Sequence, residues 1–199
     1  KSYTSTFTPV GGDGTTIRLG DVIPQNFSGD FGDTIQFLNL DGSGSVITTA
    51  TYYDGYGWCD AYNVETLLDD MTIPLGSGMF VYASQATVSF LVAGEVKQDA
   101  FSLVVSPGYT VVGNSTPVDV SLGQVVPMNF SGDNGDTAQF LNASGSGLVA
   151  TTATYYDGYG WCDAYNVETM LDSLVLSPGD AFFAYCSQSN ASFAFPDTL

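Results

Sequence analysis

The sequence predicts an all-β fold, mainly antiparallel and arranged as a sandwich or barrel, built from two tandem homologous repeats with a short helix in each. Three observations carry this expectation. Residues 19–90 lie on residues 122–193 without a gap at a constant offset of 103, with roughly two-thirds of positions identical, which is the signature of a tandem duplication. Short runs rich in Val, Ile, Thr, Tyr and Phe are separated by clusters of Gly, Asp, Ser and Pro, the spacing of strands and turns. The 199 residues are 44% hydrophobic, enough for a modest core in each of two units.

Each element follows from its local pattern. Thr8-Pro9-Val10 matches Thr116-Pro117-Val118, after which the first repeat carries extra residues around Gly11-Gly12-Asp13-Gly14. Glycines cannot fill a core, so that insertion reads as an exposed loop. Residues 34–39 alternate as a half-buried strand does, and residues 45–53 are rich in Val, Ile, Thr and Tyr. Asp54-Gly55 between aromatic runs predicts a hairpin over residues 52–58, with both central residues at positive φ. Asn63 can cap a short helix over residues 63–69 that puts Val64, Leu67 and Leu68 on one face. Residues 79–83 and 87–92 read as two more strands around a Ser84-Gln85-Ala86 turn, and residues 101–105 and 109–112 continue the pattern. A boundary near Lys97 to Ala100 divides the chain into units 1–98 and 99–199.

Composition excludes several classes of function. Three Lys+Arg stand against 21 Asp+Glu, a formal net charge of −18, and histidine is absent. There is no Ser-His or Cys-His nucleophile pair, no His-ligated zinc and no basic cluster to hold a nucleic-acid backbone. No stretch approaches the roughly 20 apolar residues of a membrane helix. The chain begins at Lys1 with no initiator methionine, which reads as a trimmed secretory signal. Only Lys1, Arg18 and Lys97 offer trypsin-like proteases a cut, as would suit a protein among digestive enzymes.

Residues 48–66 recur unchanged as residues 151–169. Within that stretch Tyr53, Asp54, Tyr56, Trp58 and Asp60 place aromatic faces beside carboxylates, and Tyr156, Asp157, Tyr159, Trp161 and Asp163 repeat the set. Sugars present an apolar face and a hydroxyl rim, so this chemistry suits a glycan. Large side chains on a hairpin also serve a core; on that reading the tryptophans are internal and sugar contact falls to Tyr56 and Tyr159. In the turns 28–33 and 131–136, Asp30 with Asp33 and Asp133 with Asp136 could supply part of a calcium shell, or hydrogen-bond their own backbone. The cysteines Cys59 and Cys162 are equivalent by the repeat, whereas the counterpart of Cys186 is Ala83. Cys59 could pair with Cys162, or Cys162 with Cys186, or all three could be buried thiols.

Carboxylates are the plentiful acid-base groups, so an enzyme here would use a pair of them. Asp33 and Asp136, in Gly32-Asp33-Thr34 and Gly135-Asp136-Thr137, approach the aspartic-peptidase signature without matching it. Asp21 is a separate candidate because Gln124 stands at its equivalent, leaving one acid for the pair of repeats.

In Gly94-Glu95-Val96 and in Tyr53-Asp54-Gly55-Tyr56-Gly57-Trp58 the chain resembles secreted tandem-repeat β-proteins of bacteria, some from gut mucus. That resemblance implies export and an all-β fold. The functional expectation is a secreted or cell-surface, non-catalytic module that binds glycan, glycoprotein or another extracellular polymer. It needs no cofactor beyond possible calcium, and nucleic acid is not a partner. The alternative is an aspartic-type protease acting on a secreted glycoprotein such as mucin.

Overall fold

The computed structural model describes residues 2–6, 16–39, 41–85, 87–92, 99–142 and 145–197. The fold is predominantly β, with several antiparallel sheets. The first half contributes β1 (Ser2–Thr6), β2 (Thr16–Arg18), β3 (Val22–Gln25), β4 (Thr34–Leu38), β5 (Val46–Tyr53), β6 (Gly57–Asp60), β7 (Asn63–Leu67), β8 (Thr72–Pro74), β9 (Gly78–Tyr82) and β10 (Ser89–Val92). The second half contributes β11 (Phe101–Val105), β12 (Gly108–Gly113), β13 (Val120–Ser121), β14 (Val126–Met128), β15 (Thr137–Leu141) and β16 (Val149–Tyr156). It continues with β17 (Gly160–Asp163), β18 (Asn166–Met170), β19 (Val175–Leu176), β20 (Ala181–Cys186) and β21 (Ala191–Phe195).

Two six-stranded sheets run β1-β9-β4-β5-β6-β7 and β12-β20-β15-β16-β17-β18. Apart from β1 and β12, their registers correspond at the 103-residue offset: Ile35 faces Ala50 as Ala138 faces Ala153, and each β4-type strand slips by one residue after its phenylalanine, Phe37 or Phe140. Against each large sheet pack a short pair, β2 with β8 or β13 with β19, and a small sheet. The small sheet is β3-β10 in the first half and β11-β21-β14 in the second.

Alternation sets the inner faces. Along β4, Ile35 and Phe37 point inward between half-exposed neighbours, as the sequence pattern implied. Each large sheet buries one tryptophan completely, and the indole N–H of Trp58 donates to Val22 O at 2.8 Å, that of Trp161 to Val125 O at 2.9 Å. These bonds satisfy the one polar atom of an otherwise apolar side chain, so the rings can sit at the centre without a desolvation penalty. Phe27 and Phe90 pack on Trp58, Phe130 and Phe182 on Trp161.

The halves meet where β1 and β9 approach β12 and β20. Phe80 and Phe183, equivalent by the offset and turned away from their own cores, meet edge to face at 5.8 Å. Gly113 N–H donates to Gly76 O (3.0 Å), Gly76 N–H to Ser115 Oγ (3.1 Å) and Tyr109 N–H to Gly42 O (2.7 Å). This last contact demands two glycines. A Cβ on Gly42 would run into the Pro107 carbonyl and one on Gly108 into the Gly42 carbonyl, and both residues hold φ near +81 and +108.

Two local expectations need correction. Residues 63–69 are not helical: β7 is an edge strand with all five residues exposed, and β18 repeats it. A stripe of Val64, Leu67 and Leu68 stabilises a helix only when a core receives it, and a seven-residue segment cannot hold a helix unaided. Here the Asp60 carboxylate, accepting from Tyr62 N–H (2.8 Å) and Asn63 N–H (3.0 Å), turns the chain back to pair with β6. The helical turns lie elsewhere, as single 3₁₀ turns such as Gly29–Phe31 and Gly132–Asn134. The hairpin at 52–58 forms, but only Gly55 of the Asp54-Gly55 pair has positive φ, with Tyr56 N–H returning to Tyr53 O at 3.0 Å. That is the requirement of a type II turn, which spares Asp54 the left-handed region. The insertion at Gly11 to Gly14 and the Gly94-Glu95-Val96 stretch lie outside the described residues.

Candidate functional site

The segment that recurs unchanged folds into the β5–β6–β7 hairpins and their twins β16–β17–β18, at the edge of each large sheet. Its residues divide by role. Tyr52 packs edge to face on Trp58 at 5.4 Å, and the Tyr53 ring lies where a Cβ on Gly29 would be, so both are structural on their inner side. Trp58 and Trp161 are fully buried and present no face to solvent. Asp60 and Asp163 lock the turn into the edge strand. Asp69 and Asp172, which the sequence reading passed over, accept from Trp58 N–H (2.9 Å) and Trp161 N–H (3.0 Å), closing the hairpin from its far end.

What remains for a ligand is the outer rim. Tyr56 and Tyr159 are 52% and 53% exposed at the hairpin tips, beside the exposed turn acids Asp54 and Asp157. Tyr62 and Tyr165, at 85% and 86%, project from the next turn. The sequence reading did not single out these two, although the unchanged segment contains them. With Val64 and Val167 on the exposed edge strand, each copy offers two flat rings, an aliphatic contact and carboxylate acceptors. Tyr159 OH donates to Val167 O at 3.2 Å, which ties the tip to the edge strand in the second copy.

The remaining candidates are held by backbone. The buried Asp33 carboxylate accepts from Ser28 N–H (3.2 Å) on one oxygen and Ser84 N–H (2.7 Å) on the other. Asp136 does the same with Ser131 (2.9 Å) and Ser187 (2.7 Å). Each ties a glycine-rich turn to the strand end of its own sheet, and no hydrogen bond joins the two acids among the described residues. Asp30 and Asp133 stand exposed, their own N–H donating to Ser28 Oγ and Ser131 Oγ. Among the described residues no three acidic or thiol side chains gather as a metal would require.

Asp21 pairs with Arg18 at 3.1 Å on the surface. The guanidinium hydrogen bond, then its charge, holds that carboxyl below its usual range. The three cysteines are free and buried. Burial, reinforced by Asp136, pushes the Cys186 thiol up to about 12, and burial also raises Cys59 and Cys162, so none is a thiolate nucleophile at neutral pH.

Comparison with known families, curated proteins and solved structures finds no match.

Proposed function

We propose that the chain is a secreted or cell-surface tandem β module, a duplication of one unit, that binds an extracellular glycan polymer through its two hairpin rims. The observation that carries this reading is where the two copies agree. Several exposed positions elsewhere have diverged, as at Ile23 and Val126, Phe31 and Asn134, or Ile47 and Ala150, while others, such as Gln85 and Gln188, are kept. In residues 48–66 and 151–169 the exposed positions are unchanged, including tyrosines that no packing requires. Folding alone explains retention of Trp58, Asp60 and Gly57; it does not explain retention of Tyr62.

Flat rings stack on the apolar faces of sugars, and neighbouring acids accept from their hydroxyls. Two such rims on one chain add avidity when a polymer spans both. The strong negative charge favours neutral or basic saccharides over sulfated ones. Because Asp33 and Asp136 are engaged by backbone donors in separate turns, the geometry offers less support to a shared-acid protease.

The test is retention on immobilised mucin and neutral polysaccharides. Replacing Tyr56, Tyr62, Tyr159 and Tyr165 with serine should abolish retention while the denaturation midpoint stays put, and changing one rim alone should weaken it by more than half. Retention unchanged in the fourfold variant removes the rims as the site. Pepstatin-sensitive cleavage of mucin by the wild type would favour the protease reading instead.

A further inference from the structure

The rims carry acids as well as rings, and the acids narrow the ligand. Asp54 and Glu65 in the first copy, and Asp157 and Glu168 in the second, are exposed. Among the described residues no hydrogen bond or ion pair engages their carboxylates. Elsewhere exposed acids differ between the copies even where they hold a partner. Asp41, which accepts from Ser43 N–H at 2.8 Å, is matched by Ser144, and Asp70, beside Arg18, by Ser173. Asp30 and Asp133 are kept, but they accept from the Ser28 and Ser131 hydroxyls within their own turns. The rim acids are kept with no partner in the fold.

Each exposed ring has one of these acids close to it in the chain: Asp54 lies two residues from Tyr56, and Glu65 three residues from Tyr62. The second copy repeats both spacings. No cation of the fold answers them, since Arg18, the one cation among the described residues, already pairs with Asp21 and Asp70. On a chain of net charge −18, unpaired acids only add to self-repulsion until a cation arrives from outside.

We infer that the rims select an amino-sugar polymer, a linear glycan whose units carry free ammonium groups, over its N-acetylated counterpart; this rests on the rim reading above. An ammonium over a tyrosine face is attracted by the ring quadrupole, and a nearby carboxylate pairs with it, so one cationic unit answers both features of the rim. An N-acetylated unit keeps the apolar face for stacking but brings no charge. A sulfated unit would meet only charges of its own sign.

The experiment titrates the full chain by calorimetry at about pH 6 and about 0.15 M salt, where carboxylates are ionised and remote charges are screened. The probes are the β-1,4-linked hexamers of glucosamine and of N-acetylglucosamine, which differ only in acetylation. The wild type should bind the glucosamine hexamer roughly tenfold tighter. Asp54→Asn, Glu65→Gln, Asp157→Asn and Glu168→Gln together should erase that preference and leave binding of the N-acetylated hexamer unchanged. Changing Asp30, Asp70, Asp119 and Asp133, exposed acids away from the rims, to asparagine removes the same charge and should leave the preference in place. Replacing Tyr56, Tyr62, Tyr159 and Tyr165 with serine keeps every charge and should abolish binding of both hexamers. Equal wild-type affinities that both vanish in the serine variant would overturn the inference and leave the rims a glycan site. A preference that survives neutralising the rim acids, or falls equally in the two acid variants, would also overturn it, as general attraction of a cation to an acidic protein. Failure of the wild type to bind the glucosamine hexamer would overturn it too. Binding of the hexamers that persists in the serine variant would remove the rims as the site and the inference with them.

Discussion

The two halves run their large sheets in one strand order but finish their small sheets differently. In the second half β11 lies along β21, with Phe101 stacked on Phe195 at 4.8 Å, and Phe193 beneath is fully buried. In the first half the small sheet has two strands among the described residues, and Phe90, the equivalent of Phe193, is only partly buried. Core substitutions follow the same direction: Phe182 and Cys186 stand where Met79 and Ala83 stand in the first half. Burial on that scale favours folding by roughly 25 cal/mol for every Å² of apolar surface removed from water, so the second half should be the more stable. The difference teaches that one sheet topology tolerates unequal filling provided its tryptophan anchor and hairpin locks are kept.

The tryptophans supply the sharpest test of whether that inequality matters to the whole chain. Trp58→Ala and Trp161→Ala should each cost about 3–5 kcal/mol, the usual price of emptying a large aromatic site. Each variant leaves the other indole as the fluorescent reporter of its own half. If contacts such as Phe80 on Phe183 couple the halves, Trp58→Ala will move the denaturant midpoint reported by Trp161. An unmoved midpoint would show two units that unfold separately.

Phenylalanine truncation tests the small sheets. Phe193→Ala should cost about 3–5 kcal/mol, and Phe90→Ala roughly half of that, since part of the Phe90 ring is already wet. Equal losses by chemical denaturation would erase the proposed difference between the sheets.

The thiols count which half opens. The first half holds Cys59 and the second Cys162 and Cys186, all buried with raised thiol pKa values. Native protein at pH 8 should resist iodoacetamide. Under mild denaturant, mass spectrometry should show one carbamidomethyl group before it shows three, because the first half opens more readily. Two groups appearing first would reverse the stability order.

Much of the fold was legible because its signals are local. The alternation of Ile35 and Phe37 and the turn chemistry of Asp54-Gly55 each act within a few residues, and both elements formed. Residues 63–67 misled because a 3.6-residue apolar spacing over so short a window says nothing about what lies opposite; the Asp60 carboxylate and the free edge of β6 decided the outcome. At the rim, sequence named Tyr56 and Tyr159 but passed over Tyr62 and Tyr165, whose exposure depends on β7 and β18 being edge strands. Their signal was available all the same, in exposed residues that two otherwise diverging copies share.

The smallest expected contrast is electrostatic. Arg18 pairs with Asp21 in the first half, whereas the second half has Gln124, whose carbonyl accepts from Ser121 N–H and Oγ at 3.0 Å and does not titrate. The Arg18 hydrogen bond and charge depress the Asp21 carboxyl in the folded chain. A depressed folded pKa contributes stability that is present above the unfolded value of about 4 and is lost as pH falls through the lower folded value. Arg18→Gln should therefore lower the first-half midpoint slightly at pH 7, and the difference from wild type should fade as pH drops below about 4. The pair is exposed, so added salt should shrink the effect. With Trp161→Phe as background, Trp58 fluorescence reads the first half alone. A difference that persisted at low pH, or grew with salt, would mean that Arg18 acts through packing of its aliphatic stem rather than through Asp21.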